Sequence, residues 1–206
     1  GASPSENTRE YRLHQDPWAA NLITICGGKL TTSRSLGEKL VDHVVATLPG
    51  GSPSEWAEHP TRSAPLPGGH TDDFESYSRA AVEDAVRQFV VPHAAAERIV
   101  RTYGTRWQQV LEPVRSDRKL ADPLPGTADC VRAEAAFAVE QEMAREIDDF
   151  LLRRSGLSWY AADALREAVP AVAEIFAERL GWDSARREAA VREFQRAGHF
   201  SFEPVS

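Results

Sequence analysis

The chain has 206 residues, enough to bury roughly 70% of the surface it exposes when unfolded, so its core needs no staples. Hydrophobic residues make up 42% and charged residues 27%, ordinary values for a globular protein. With 31 Asp+Glu against 24 Lys+Arg, a net charge of −7, the chain lacks the basic surplus of a phosphate-coating nucleic-acid binder.

The first 20 residues are polar and interrupted by Pro4 and Pro17, so they read as irregular. Asn21 to Cys26 is a short, β-branched apolar run ended by Gly27-Gly28, the best strand candidate in the chain. Thr31, Thr32 and Ser33 then offer capping hydroxyls, and Leu36, Leu40, Val41, Val44 and Leu48 recur at helical spacing. From Pro49 to Thr71 the composition shifts to Gly, Pro, Ser and His, which marks a surface linker and the best domain boundary. The expected organisation is therefore residues 1–48, a linker at 49–71 and a helical domain at 72–206.

Beyond the linker every pattern is helical. Helices are expected over about 72–90, 92–104 and 107–111, with a loop at 115–129 containing Pro123, Pro125 and Gly126. The longest should run from about 129 to 154, because Val131, Ala135, Val139, Met143, Ile147 and Leu151 form an unbroken i, i+4 stripe. Another spans about 160–180, with Pro170 kinking or breaking it and Gly181 capping it. Asp183 should cap a final helix to about 197. The fold class is thus mainly α, a bundle of about six helices, preceded by one strand whose partners must be sought elsewhere.

The segment with most chemical content is Gly27-Gly28-Lys29-Leu30-Thr31-Thr32-Ser33-Arg34. Two glycines allow a sharp turn and close approach to a ligand, and the following helix start aims N–H groups and a positive dipole end outward. Lys29 adds a mobile charge, so the turn suits a phosphate or an anionic carbonyl. The plainer reading is a strand-to-helix turn with a solvated lysine; the spacing matches neither a Walker A loop nor Gly-x-Gly-x-x-Gly. Arg9 supplies a guanidinium able to grip a phosphate bidentately. The six histidines form no His-Glu-x-x-His pair, and the acids Glu134, Glu140, Glu142, Glu146, Asp148 and Asp149 lack a histidine partner and read as a solvated face. Cys26 and Cys130 lie too far apart in sequence for a metal signature, and neither is assigned as a nucleophile. Trp18, Trp56, Trp107, Trp159 and Trp182 are scattered, as packing anchors would be. There is no 18-residue apolar run and no opening signal peptide. The chain begins Gly1-Ala2-Ser3 and its only methionine is Met143, so the expectation is a processed or excised piece of a longer protein.

Leu22 to Arg34 closely resembles the last strand-turn-helix of the flavin domain in FAD-dependent respiratory glycerol-3-phosphate dehydrogenases. Leu66-Pro67-Gly68-Gly69, Arg101-Thr102-Tyr103-Gly104, Ala133-Glu134, Asp149 to Ser155 and Leu180-Gly181-Trp182 resemble that family's C-terminal helical domain, in the family's order. The resemblance implies an enzyme that oxidises sn-glycerol 3-phosphate to dihydroxyacetone phosphate. FAD would take the hydride and a quinone the electrons, at the cytoplasmic face of the cell membrane. Residues 1–48 would then be the end of the flavin and substrate domain. By resemblance Gly28, Leu30 and Thr31 face the flavin, Lys29 reaches the substrate side, and Arg9, in an Arg-Asp/Glu-Tyr motif, binds the substrate phosphate. The implied partners are the chain's own N-terminal FAD domain, glycerol 3-phosphate, a quinone and a membrane surface, with a homodimer as an option and no nucleic acid. The family commonly has an aromatic residue where Ser33 stands. The dinucleotide fingerprint and the sheet that would hold the ADP half of FAD are missing, as is the catalytic base. The expectation is that this piece alone neither holds FAD nor turns over substrate. Two rival readings are a non-enzymatic helical interaction or ligand-binding module, such as a regulator's effector domain, and another FAD-dependent oxidase.

Overall fold

The computed structural model describes residues 10–19, 21–51 and 59–197, and the chain divides into two compact units, Gly1–Ala64 and Pro65–Ser206. In the first unit the expected strand forms as β2, Ile23–Gly27. Its partner is β1, Tyr11–Gln15, paired antiparallel in a register from Tyr11↔Gly27 to Gln15↔Ile23. This corrects the expectation of an irregular start and an unpartnered strand. Tyr11 and Leu13 alternate with Arg12 and His14, the period-two pattern of a strand covered on one face. A 3₁₀ turn, Leu30–Thr32, leads into α1, Ser33–Thr47. None of the described residues of this unit is buried, and Leu30, Val41 and Leu48 are more than half exposed.

The second unit contains eight α-helices among its described residues and one hydrophobic core. Their excess over the expected six comes from one long helix that is divided and from one short helix at 157–160 that was not expected. α2 (Phe74–Phe89) starts on Asp73, whose Oδ1 accepts the Ser76 N–H at 3.0 Å. α3 (His93–Tyr103) follows Pro92, and α4 (Trp107–Leu111) carries the buried Trp107 against Phe89, edge to face at 6.1 Å. Short 3₁₀ turns at Glu112–Arg115 and Arg118–Ala121 occupy part of the segment expected to be loop.

The helix expected at 129–154 is two helices, α5 (Arg132–Gln141) and α6 (Ile147–Leu151). Met143, placed by periodicity inside the stripe, instead has φ +59° and is 79% exposed. Capping chemistry overrides the period here. Asp149 Oδ2 accepts the N–H groups of Arg145 and Glu146 at 2.8 and 3.0 Å and so restarts the helix. Arg154 donates to the Glu142 carbonyl at 2.7 Å and to the Asp149 carbonyl at 2.6 Å, tying the two pieces together. The helix expected at 160–180 is α8 (Ala164–Leu180), which runs through Pro170 unbroken, and a short α7 (Leu157–Tyr160) that was not expected precedes it. Pro170 lies on the solvent face, where the carbonyl that loses its partner can be hydrated. Gly181 closes α8 at φ +69° with Trp182 N–H donating to the Ala177 carbonyl at 3.0 Å. α9 (Ser184–Arg196) begins on Asp183, which accepts the Arg186 N–H at 2.7 Å.

Arg98 of α3 joins the centre of this unit. Its guanidinium donates to Glu134 of α5, to the Ser155 carbonyl, and through Nε to the Tyr160 hydroxyl at 3.0 Å. Glu134 is completely buried, and its Oε1 also accepts the Val131 N–H at 3.1 Å, capping α5. Glu134 is thus no part of a solvated face; its partner is 36 residues away in sequence. Leu66-Pro67-Gly68-Gly69 and Tyr103-Gly104 also meet. Thr105 N–H donates to the Gly68 carbonyl at 2.9 Å, and a Cβ on Gly104 would lie 2.0 Å from that same oxygen. Of the tryptophans, Trp107 is a core anchor and Trp182 packs on Phe176 at 5.9 Å, whereas Trp18 and Trp159 are 80% and 88% exposed and anchor nothing. Trp56 lies outside the described residues.

Two stability predictions arise from this unit. Val90 ends α2 at φ +56° while 64% exposed, a left-handed conformation that a β-branched residue tolerates poorly. Val90→Gly is therefore expected to stabilise by about 1 kcal/mol in urea unfolding. Glu134→Gln leaves the Arg98 charge buried without its carboxylate and is expected to cost about 3 kcal/mol by the same measurement. Replacing both, Arg98→Met with Glu134→Leu, should recover most of that loss.

Candidate functional site

The sequence places its one anion-ready turn at the end of β2, and the geometry there depends on two glycines with different tasks. Gly27 has φ +81°, and a Cβ on it would lie 2.6 Å from the Glu10 carbonyl oxygen, so only glycine lets the two strands approach at their open end. Gly28 has φ +95°, and a Cβ there would meet Leu36 Cδ2 at 3.5 Å and Tyr11 Cβ at 3.6 Å. These are ordinary contact distances, so Gly28 is required for its backbone angle, and Tyr11 and Leu36 flank it.

Lys29 is extended, at φ −116° and ψ 144°, and its carbonyl accepts both the N–H and the hydroxyl of Thr32 at 3.0 Å. Thr32 is therefore turned inward to close the 3₁₀ turn. Gly28, Lys29, Leu30 and Thr31 are all exposed, Leu30 at 90%. Neither the turn nor α1 has a side-chain cap or an acidic residue in its first turn. No carboxylate of their own first turn competes for the opening N–H groups or offsets the dipole of the 15-residue α1. A carbonyl or anionic edge of a flat ring system fits these residues: uncapped donors, an apolar Leu30 and one mobile cation. The structure brings Gly28, Lys29, Leu30 and Thr31 together on one turn. Arg9 lies outside the described residues.

Tyr11 was legible in the Arg9-Glu10-Tyr11 run but carried no assignment of its own. Its ring lies beneath the Lys39 ammonium of α1, 5.5 Å from nitrogen to centroid, which links β1 to α1 across the turn. Further along α1, Glu38 accepts from Arg34 at 2.6 Å and from Arg62 Nη2, and His59 Nε2 is 3.6 Å away.

The second unit offers concavities of another kind. An open groove of about 640 Å³ is lined by Gln109, Arg115, Phe137, Glu140 and Arg179, and its arginines are already paired, Arg115 with Glu112 and Arg179 with Glu140. Cys130 is buried, and burial pushes its thiol far above the ordinary range, so it is no nucleophile. Cys26 is exposed on β2. Among the described residues no group of three His, Cys, Asp or Glu could hold a metal ion, and no helix is long and apolar enough to cross a membrane.

A family described as the C-terminal domain of alpha-glycerophosphate oxidase matches residues 59–187. The chain belongs to this family. Across its full length it is 26% identical to the aerobic glycerol-3-phosphate dehydrogenase of Bacillus subtilis (strain 168), covering 37% of that protein. It is also 26% identical to a glycerol-3-phosphate dehydrogenase of Synechocystis over 94% of this chain and 34% of that one. The figures for the aerobic glycerol-3-phosphate dehydrogenase of Staphylococcus aureus (strain USA300) are 26% identity, 96% and 35%. The chain therefore spans about a third of the length of these relatives. It shares its fold with part of the glycerol-3-phosphate dehydrogenase from Bacillus halodurans, solved in complex with FAD, with a TM-score of 0.71 over 95% of this chain and 38% of that one, at 21% identity.

The ion cluster on α1 gives a pH prediction. Hydrogen bonds from Arg62 and then Arg34 hold the Glu38 carboxyl down at about 2, below its ordinary 4.5. A carboxyl depressed in the folded state supports the fold above its ordinary range and loses that support as pH falls through the depressed value. The Glu38–Arg62 contact is therefore expected to persist through pH 4 and to release near pH 2. Carboxyl-carbon NMR titration checks this: the Glu38 midpoint should stand near 2 and move up toward the ordinary value in Arg62→Gln.

Proposed function

We propose that the protein to which this chain belongs is an FAD-dependent dehydrogenase that oxidises sn-glycerol 3-phosphate to dihydroxyacetone phosphate. Electrons then pass to a quinone at the cytoplasmic surface of the cell membrane, with the enzyme bound peripherally. The observation that carries the reading is the uncapped Gly28–Thr31 turn at the head of α1, in a chain of this family whose relatives bear that enzyme's name. FAD, when bound, supplies the acceptor for the hydride and leaves negative charge on the pyrimidine edge of its ring. The residues in hand suit that charge. The N–H groups of the turn at Gly28, Leu30 and Thr31 would donate to the carbonyl edge, and the α1 dipole would favour the anionic form. Lys29 faces the substrate side, and Arg9 is assigned to the substrate phosphate, for which a guanidinium offers two parallel donors.

Residues 1–48 are read as the end of the flavin and substrate domain and 72–206 as the helical domain, with 49–71 between them. The absence of any buried residue among those described in the first unit supports a further body of protein covering this hairpin and helix, the chain's own N-terminal FAD domain. The 206 residues alone are therefore proposed to hold no FAD and to be inactive. Purification of the intact protein and of this chain tests the proposal. The intact protein is expected to be yellow and to reduce a dye only when glycerol 3-phosphate is added, and the shorter chain to do neither. A colourless intact protein without dye reduction defeats the assignment, and a yellow 206-residue chain defeats the claim about the piece.

A further inference from the structure

We infer that Tyr11 is the positioning residue of the Gly28–Thr31 turn: it acts on the ligand by linking β1 to α1 on either side of that turn. The inference rests on the reading of that turn as a flavin and substrate contact. Gly28 is the hinge by which the chain leaves the sheet, and at φ +95° its own backbone places little restraint on direction. Restraint must come from its surroundings. Two side chains flank it from opposite elements, Tyr11 of β1 and Leu36 of α1, with Cβ and Cδ2 atoms 3.6 and 3.5 Å from the site where a Gly28 side chain would start.

Tyr11 is the better placed of the two to set direction. It is fixed on one side by the strand register, opposite Gly27. It is fixed on the other by Lys39, whose ammonium lies 5.5 Å from the ring centroid. The ring thereby joins the strand that ends at the turn to the helix that begins there, and the turn is held between them. No residue of this unit is buried among those described, so no core duplicates the restraint. The Tyr11 Cβ stands beside Gly28, and the ring beyond it lies under Lys39.

The test uses the full-length protein with Tyr11→Ala, Tyr11→Leu and Tyr11→Phe. Tyr11→Ala keeps the Cβ beside Gly28 but removes the ring that links β1 to α1 at Lys39, and the KM for glycerol 3-phosphate is expected to rise about tenfold, the scale on which small displacements of a binding group are felt. The midpoint potential of the flavin should fall as well, because displaced N–H donors stabilise the reduced anion less. Tyr11→Phe should restore both quantities, since the ring is kept. Tyr11→Leu, which retains bulk and guards against an unfolded alanine variant, should lie between them. A folded Tyr11→Ala or Tyr11→Leu protein with the original KM and potential overturns the inference, as does a Tyr11→Phe protein as impaired as Tyr11→Ala. If the unsubstituted protein itself carries no flavin, the functional reading fails first and takes this inference with it. If it carries flavin and turns over, the three variants judge Tyr11 alone.

Discussion

The helical unit depends on one buried ionic contact. Arg98 and Glu134 come from α3 and α5, separated along the chain by α4 and short 3₁₀ turns, and neither can be buried charged without the other. Each donor of the guanidinium goes to a different element, so one side chain fixes the spacing of α3, α5, the chain at Ser155 and the end of α7. Glu134 reciprocates by capping its own helix through the Val131 N–H. Such a pair adds little net stability over well-packed apolar groups, but it penalises every arrangement in which the two charges fail to meet. An alanine-rich interior, where small side chains could slide past one another, is the setting in which that penalty matters most.

The first unit is organised the opposite way. It has a two-stranded sheet, one helix and a turn, and none of its described apolar side chains is fully buried. A hairpin and a helix of this size are marginal by themselves. What orders them is a short list of specific contacts: Lys39 on Tyr11, Leu36 against Gly28, and the Glu38 cluster that attaches the chain at Arg62 to α1. The chemistry read from the sequence lies on this lightly supported part, and the thoroughly packed part offers scaffold.

Most helices were legible because their ends are written locally. Asp73, Asp183 and Gly181 stand where caps should stand, and the apolar spacing between them is helical. The division of α5 from α6 was not legible, because the i, i+4 stripe through Met143 is a true local signal defeated by polar contacts that apolar spacing does not register, Asp149 with the Arg145 and Glu146 N–H groups and Arg154 with the Glu142 carbonyl. Glu134 read as one acid among six on a helix face for the same reason: its burial depends on Arg98, which no local pattern connects to it. β1 was missed because five residues near prolines carry too little alternation to stand out. The turn was legible in kind from Gly27-Gly28-Lys29, but the division of labour between the glycines is visible only with Glu10, Tyr11 and Leu36 around them.

The crossing of Gly68 and Gly104 limits how this fold can vary. At most packed positions an enlarged side chain can be accommodated by a smaller one opposite. Here each added carbon would run into a main-chain atom of the other segment, at 2.4 Å from the Tyr103 oxygen or 2.0 Å from the Gly68 oxygen. A peptide carbonyl cannot be made smaller, so no second-site exchange of side chains compensates for losing either glycine. The two segments form a matched pair within the helical unit, and any recombination that supplies one from a different background must supply its counterpart as well.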